Sequence, residues 1–186
     1  MCIHAAESTE EIALLHEGKG RFASMYAERG IAWETTGKHP VDILHEQGWL
    51  DANTLLVHAV QTDSRHVEIF AETGVALAHC PQSNAKLYNG VAPLSWWLAQ
   101  GVKVGLGTDS VVSNNTLDMF AEMRSALMLQ RAAFGVDSCM TARKAVEMAT
   151  LGGARALGMA ERIGTLEPGK QADLCVVSLS SAHSFP

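Results

Sequence analysis

Three short apolar runs, TLLVHAV (Thr54 to Val60), GVALAHC (Gly74 to Cys80) and GVKVGLGTD (Gly101 to Asp109), recur at intervals of 20 to 27 residues. That spacing constrains the fold more than any other feature. Each interval has room for one short helix and its turns, which is the length of a βα unit joining parallel strands. The runs are almost continuously hydrophobic, as expected of strands covered on both faces. MCIHAAES at the start reads as a further strand. Ser8 then opens a helix, with Glu11 three residues on to complete a capping box. Asp63 or Thr62 caps a helix to about Glu72, and helical stretches follow near Pro93 to Gln100 and Leu117 to Arg131. Thr141 caps a last helix, which runs to about Leu157 and is stopped by Gly158. The first interval is longer. Its Arg21 to Pro40 stretch is expected to add a helix and a mobile segment before a helix starting near Val41. Phe22, Tyr26 and Trp33 in that stretch suit either a lid over a substrate or a packed surface helix.

Composition removes several classes of function. The 186 residues are 47% hydrophobic and 18% charged, and the net charge is −6, the opposite of a nucleic-acid-binding surface. No apolar run approaches the roughly 18 residues of a membrane span, and no signal peptide opens the chain. Cys2, Cys80, Cys139 and Cys175 form no CxxC pair, so they read as small buried hydrophobes in a reducing compartment. A cytoplasmic enzyme, or a fragment of one, is the expectation.

The strand ends carry the chemistry. The first strand offers His4 and then Glu7, the second His58, the third His79 and the fourth Asp109. Singly, each has an ordinary explanation: a satisfied core histidine, an aspartate capping a loop, a glutamate in the first turn of a helix. Their repetition at one end of one parallel sheet points instead to a site, because βα loops converge there. Imidazole and carboxylate together can hold zinc or a similar divalent ion. Such an ion brings the pKa of water toward about 7, and a nearby carboxylate can then move protons. Asp109 would ligate the ion and accept a proton. The glycines before it would allow close packing, and the Ser113-Asn114-Asn115 loop would shape the pocket.

IHAAES, LLVHAV, AHCPQSNAKLYNG, VGLGTDSVVSNN, ATLGGARALG and IGTLEPGKQADLCVV, in this order, resemble blocks of the metal-dependent amidohydrolase superfamily. The nearest group holds 5-methylthioadenosine/S-adenosylhomocysteine deaminases, aminofutalosine deaminases, guanine deaminases and triazine hydrolases. The resemblance implies a (β/α)8 barrel and metal ligation by His4 and Asp109, with Asp109 also the proton acceptor. It implies that Glu7 contacts the base and relays a proton, and that His58 stands beside the reacting water. It makes His79 and Asn84 candidates for the pocket wall or for ordering its loop; a turn stabilised by Pro81, Ser83 and Asn84 explains HCPQSN equally well. Trp33 joins the substrate-binding candidates as part of the lid. One zinc per site is implied, with iron the alternative. The activity implied is hydrolytic deamination of an adenosine derivative, the alternatives being the other heterocycles of the group or an inactive half-barrel that binds a partner.

The family's HxH pair has no counterpart here, since no two histidines lie two residues apart. Four strands are half of a barrel that typically takes about 250 residues. The expectation is therefore the carboxyl-terminal half of the barrel over residues 1–160, and a return into a small β-sandwich over 161–186, with Lys170 and Asp173 holding its first turn. The partners expected are a small heterocyclic amine, the missing amino-terminal half and, in a homo-oligomer, a second copy; neither nucleic acid nor membrane is expected. Met119, Met123 and Met128, at helical spacing, read as core.

Overall fold

A computed structural model describes residues 1–180. Four strands, β1 (Cys2–Ala5), β2 (Leu55–His58), β3 (Ala76–His79) and β4 (Val104–Leu106), pair in chain order as one parallel sheet. The register sets Ala5 beside His58 and His79 beside Leu106, which brings the carboxyl ends of the strands level. Each strand is shorter than its apolar run, and at three of the four strand ends the backbone leaves the sheet through left-handed conformation. Ala6 (φ 51°) follows β1, His58 (φ 74°) and Ala59 (φ 45°) end β2, and Asp109 (φ 57°) follows β4. Left-handed backbone in non-glycine residues costs on the order of 1–3 kcal/mol each and clusters at functional sites.

Helices fill the crossovers. α1 (Thr9–Ile12) runs into a π-helical turn over Ala13–Glu17, followed by α2 (Gly20–Glu28) and α3 (Pro40–Glu46). The β2–β3 crossover is α4 (Ser64–Thr73), and β3–β4 holds α5 (Pro81–Lys86) and α6 (Leu94–Ala99). After β4 come α7 (Val111–Asn114), α8 (Met119–Phe134), α9 (Ala142–Glu147), a π-turn over Met148–Gly152 and α10 (Gly153–Ala156). Ser8 accepts from the Glu11 amide at 3.2 Å as expected. The Glu11 carboxylate turns instead to the amides of Ala6 and Glu7, at 3.0 and 2.8 Å. Of the two candidate caps for α4, Asp63 is the one used, in a reciprocal box with His66.

Leu56, Leu77 and Val104 of the sheet, Phe70 of α4, Leu94 and Trp97 of α6 and Met148 form a continuous buried core. The small residues before Asp109 and around the π-turn give the closest approach. A Cβ on Gly105 would stand 2.8 Å from the Gly153 Cα, and one on Gly152 would stand 2.7 Å from the Val104 carbonyl oxygen. No larger residue lets α10 lie this close to β4.

Two readings of the sequence need correction. The buried stripe of α8 is Glu122, Ala126 and Gln130. Met123 packs on the core, but Met128, two residues beyond Ala126 and so on the far side of the helix, is 60% exposed. Of the cysteines only Cys80 is buried; Cys2 on edge strand β1, Cys139 ahead of α9 and Cys175 in the extended tail are exposed. The Lys170 ammonium donates to the Ala160 carbonyl and the Thr165 hydroxyl, both at 2.7 Å, and holds the turn as expected. Asp173 is exposed, and residues 171–180 join no strand pairing among the described residues. The last part of the expected β-sandwich segment, 181–186, lies outside the described residues. No described helix is long and apolar enough to cross a membrane.

Candidate active site

The left-handed exits from β1, β2 and β4 surround one cluster. Ligand atoms of His4, His58 and Asp109 all lie within 4.8 Å of one another. Among the described residues this is the only group of three or more histidine, cysteine or acidic side chains placed to hold a metal ion. His58 is buried and its Nε2 faces two carboxylates, Glu7 at 3.7 Å and Asp109 at 3.9 Å. The His4 ring lies 5.1 Å from that of His58. Of the eight histidines and twenty acidic residues in the chain, those that meet here are the ones on the strand ends.

Each group is held by partners that hydrophobic periodicity could not reveal. Asp109 Oδ2 accepts from the hydroxyls of Ser83 and Ser113, both at 2.7 Å. Burial by itself would raise the Asp109 pKa. The bonds from Ser113, Ser83 and the Ser110 backbone, with the nearby His58, outweigh it and hold the carboxyl below its ordinary range. Glu7 Oε1 accepts from the Asn89 amide at 2.9 Å, and Glu11 fixes the backbone on which Glu7 sits. His58 Nδ1 lies 2.9 Å from Asn84 Oδ1.

The segment HCPQSN therefore does more than turn the chain. Consecutive residues of α5 serve two different groups, Ser83 holding Asp109 and Asn84 holding His58. Glu122 ties this segment to the next loop. Although fully buried, it accepts from the Gln82 amide at 3.3 Å and from the side chain of Asn114, whose Nδ2 also donates to the Thr108 carbonyl at 2.6 Å. Burial raises the Glu122 pKa against the opposing effect of these bonds. A glutamate on the buried stripe of α8 was the available signal, and it is visible only once the helix phase is known.

His79 is brought close behind the cluster and not into its ligand set. It is buried edge-on to Trp97, with ring centroids 6.0 Å apart. Burial first, and His58 second, push its pKa down to about 3, so it is a neutral ring. The Trp33 indole donates to the Leu14 carbonyl at 3.3 Å, and its ring meets Tyr26 edge-on at 5.7 Å. Thr35 and Thr36 donate to the Leu15 carbonyl at 2.8 and 2.9 Å, tying the same loop to the π-helical turn after α1.

Two imidazoles and a carboxylate gathered at the carboxyl ends of parallel strands make an α/β fold with a donor set that could hold a metal ion. The pattern described as "Amidohydrolase family" matches residues 1–185, and the chain belongs to that family. It is 47% identical over 150 residues to a 5-methylthioadenosine/S-adenosylhomocysteine deaminase from Moorella thermoacetica, covering 81% of this chain and 35% of that protein. The structure is similar to an adenosine deaminase from Xanthomonas campestris with bound zinc: TM-score 0.82, 36% identity, all of this chain and 38% of that one. It is also similar to a zinc complex of an atrazine chlorohydrolase from Arthrobacter aurescens: TM-score 0.73, 28% identity, 92% of this chain and 34% of that one. The chain thus spans little more than a third of the proteins it matches. Its own donor set, two ring nitrogens and a carboxylate oxygen, fits zinc.

Proposed function

We propose that the chain is the carboxyl-terminal half of a (β/α)8 barrel of a hydrolytic deaminase. The substrate is an adenosine derivative of the methylthioadenosine or adenosylhomocysteine type. The observation that carries this reading is the meeting of His4, His58 and Asp109 at one mouth of the sheet, with Glu7 beside them. The names of the relatives support the substrate class. Residues 1–160 form the half-barrel and 161–186 lead into the β-sandwich. The HxH pair comes from the remainder of the protein, outside this chain.

His4 and Asp109 would hold the divalent ion, zinc before iron, with His58 within reach of the same point. When bound, the ion supplies Lewis acidity that makes water acidic near neutral pH. Asp109, kept ionised by its two serines, accepts a proton from the attacking water at Oδ2. His58 orients that water through Nε2. Glu7, fixed by Asn89, binds the ring edge of the base and passes one proton of the water to the ring nitrogen as the water oxygen bonds to the ring carbon. Asp109 passes the other to the exocyclic nitrogen, whose bond to that carbon breaks to release ammonia. His79 and Asn84 back the wall of the pocket. Trp33, in the loop after α2, is the lid's candidate contact with the substrate.

The test joins this chain to the amino-terminal segment of the Moorella relative and measures ammonia released from methylthioadenosine, adenosylhomocysteine and guanine, and chloride released from atrazine. Release from the first two, reduced about 10²–10⁴-fold by Glu7→Gln, is expected. Zinc bound without turnover on any of them would instead favour the inactive half-barrel.

A further inference from the structure

His58 Nδ1 and Asn84 Oδ1 meet at 2.9 Å in the buried interior behind the cluster. We propose that Asn84 is a positioning residue: its Oδ1 accepts from Nδ1–H of His58 and leaves the Nε2 lone pair facing Glu7 and Asp109. The use made of that lone pair rests on the deaminase reading; the tautomer itself does not.

Four observations support it. The Nδ1 to Oδ1 distance is 2.9 Å, and both residues are about 1% exposed, so water does not compete for the bond. Asn84 is delivered from a fixed backbone: its amide donates to the Cys80 carbonyl at 3.0 Å and its carbonyl accepts from the Asn89 amide at 2.9 Å. His58 is equally constrained, by φ 74° at its own position and φ 45° at Ala59. Finally, Nε2 lies 3.7 and 3.9 Å from two carboxylates. With no other influence those carboxylates would draw the proton to Nε2, and a ring protonated there has no lone pair for a cation or for a water hydrogen. An acceptor on the opposite nitrogen is what reverses the preference. The neighbouring Ser83 bonds Asp109 at 2.7 Å, so one short turn sets both the imidazole and the carboxylate.

The experiment uses the 186-residue chain, free of metal and labelled with nitrogen-15 in histidine, and reads the His58 tautomer by long-range nitrogen–proton correlation. The proton is expected on Nδ1 in the wild type and in Asn84→Asp, whose carboxylate still accepts. Asn84→Leu, with its fold checked by circular dichroism, is expected to lose that preference and to bind zinc more weakly, because an Nε2 proton would then face the point that His4 and Asp109 share. Asn84→Asp should stay close to wild-type affinity. A proton on Nε2 in the wild type, or an unchanged tautomer in Asn84→Leu, overturns the proposal. Should Asn84→Leu not fold, the wild type and Asn84→Asp still decide it, because Nε2–H in either is incompatible with the role. A wild type with Nδ1–H and no zinc binding would uphold Asn84 and count against the metal reading alone.

Discussion

Gly105→Ala is the smallest change that tests how β4 is placed. The added Cβ would stand 2.8 Å from the Gly153 Cα and 3.3 Å from the Gly153 nitrogen, and an ordinary contact begins at 3.4 Å. Both neighbours are backbone, so no rotamer change relieves the clash; α10 and the π-turn before it must move off the sheet. Overpacking of this kind costs about 1–3 kcal/mol. For a chain of this size that lowers Tm by roughly 2–12 °C, at about 2–4 °C per kcal/mol. The reciprocal substitution makes the argument directional. A Cβ on Gly153 would meet nothing closer than the Met148 carbonyl oxygen at 3.6 Å, and its φ of −59° is helical. Gly153→Ala should be neutral or stabilise by up to about 1 kcal/mol through helix propensity. Thermal melts followed by circular dichroism compare the two. Gly105→Ala melting at or above wild type, or Gly153→Ala costing as much, would refute this account of the packing. Because β4 leads directly to Asp109, Gly105→Ala should also weaken zinc binding.

Acid should destabilise the fold. Burial lowers the pKa of His39 and His66 below 6.5 and, with His58, takes His79 to about 3. The unfolded chain, titrating near 6.5, binds more protons below that pH. Stability is therefore complete above pH 6.5 and falls toward pH 3, by at most about 1.4 kcal/mol per pH unit for each group. Urea midpoints at pH 7 and 5 check this, and a midpoint that does not fall at pH 5 contradicts it. Burial also pushes the Cys80 thiol up to about 12. Iodoacetamide at pH 8 should alkylate Cys2, Cys139 and Cys175 in the native chain and reach Cys80 only after unfolding. Native labelling of Cys80 at the rate of the others, seen by mass spectrometry, would contradict its placement.

The sheet was legible because its signal is local. Uninterrupted runs such as TLLVHAV and GVALAHC announce buried parallel strands, and each carries its functional residue at the end that the topology makes common. A helix cap at Thr62 or Asp63 and close packing at the glycines before Asp109 were legible for the same reason. The supporting partners were not. Ser83 meets Asp109 across 26 residues and Asn89 meets Glu7 across 82, and nothing in the spacing of serines or asparagines forecasts such pairings. Met128 misled because a methionine at helical spacing carries no phase. The phase of α8 is fixed by Ala126 against the core and by Gln130, which donates to the Ala92 carbonyl at 2.8 Å. Glu11 fits a capping box by spacing, yet the tight turn at Ala6 offers its carboxylate two nearer amides.

The central claim is that separate strand ends build one metal site, and zinc affinity tests it most directly. Wild type, His4→Ala, Asp109→Asn and, as a control remote from the cluster, His45→Ala can be compared by competition against a chromophoric chelator. His4→Ala and Asp109→Asn should each weaken zinc at least tenfold, a loss of about 1.4 kcal/mol, while His45→Ala binds like the wild type. Equal affinity across all four proteins would contradict the claim.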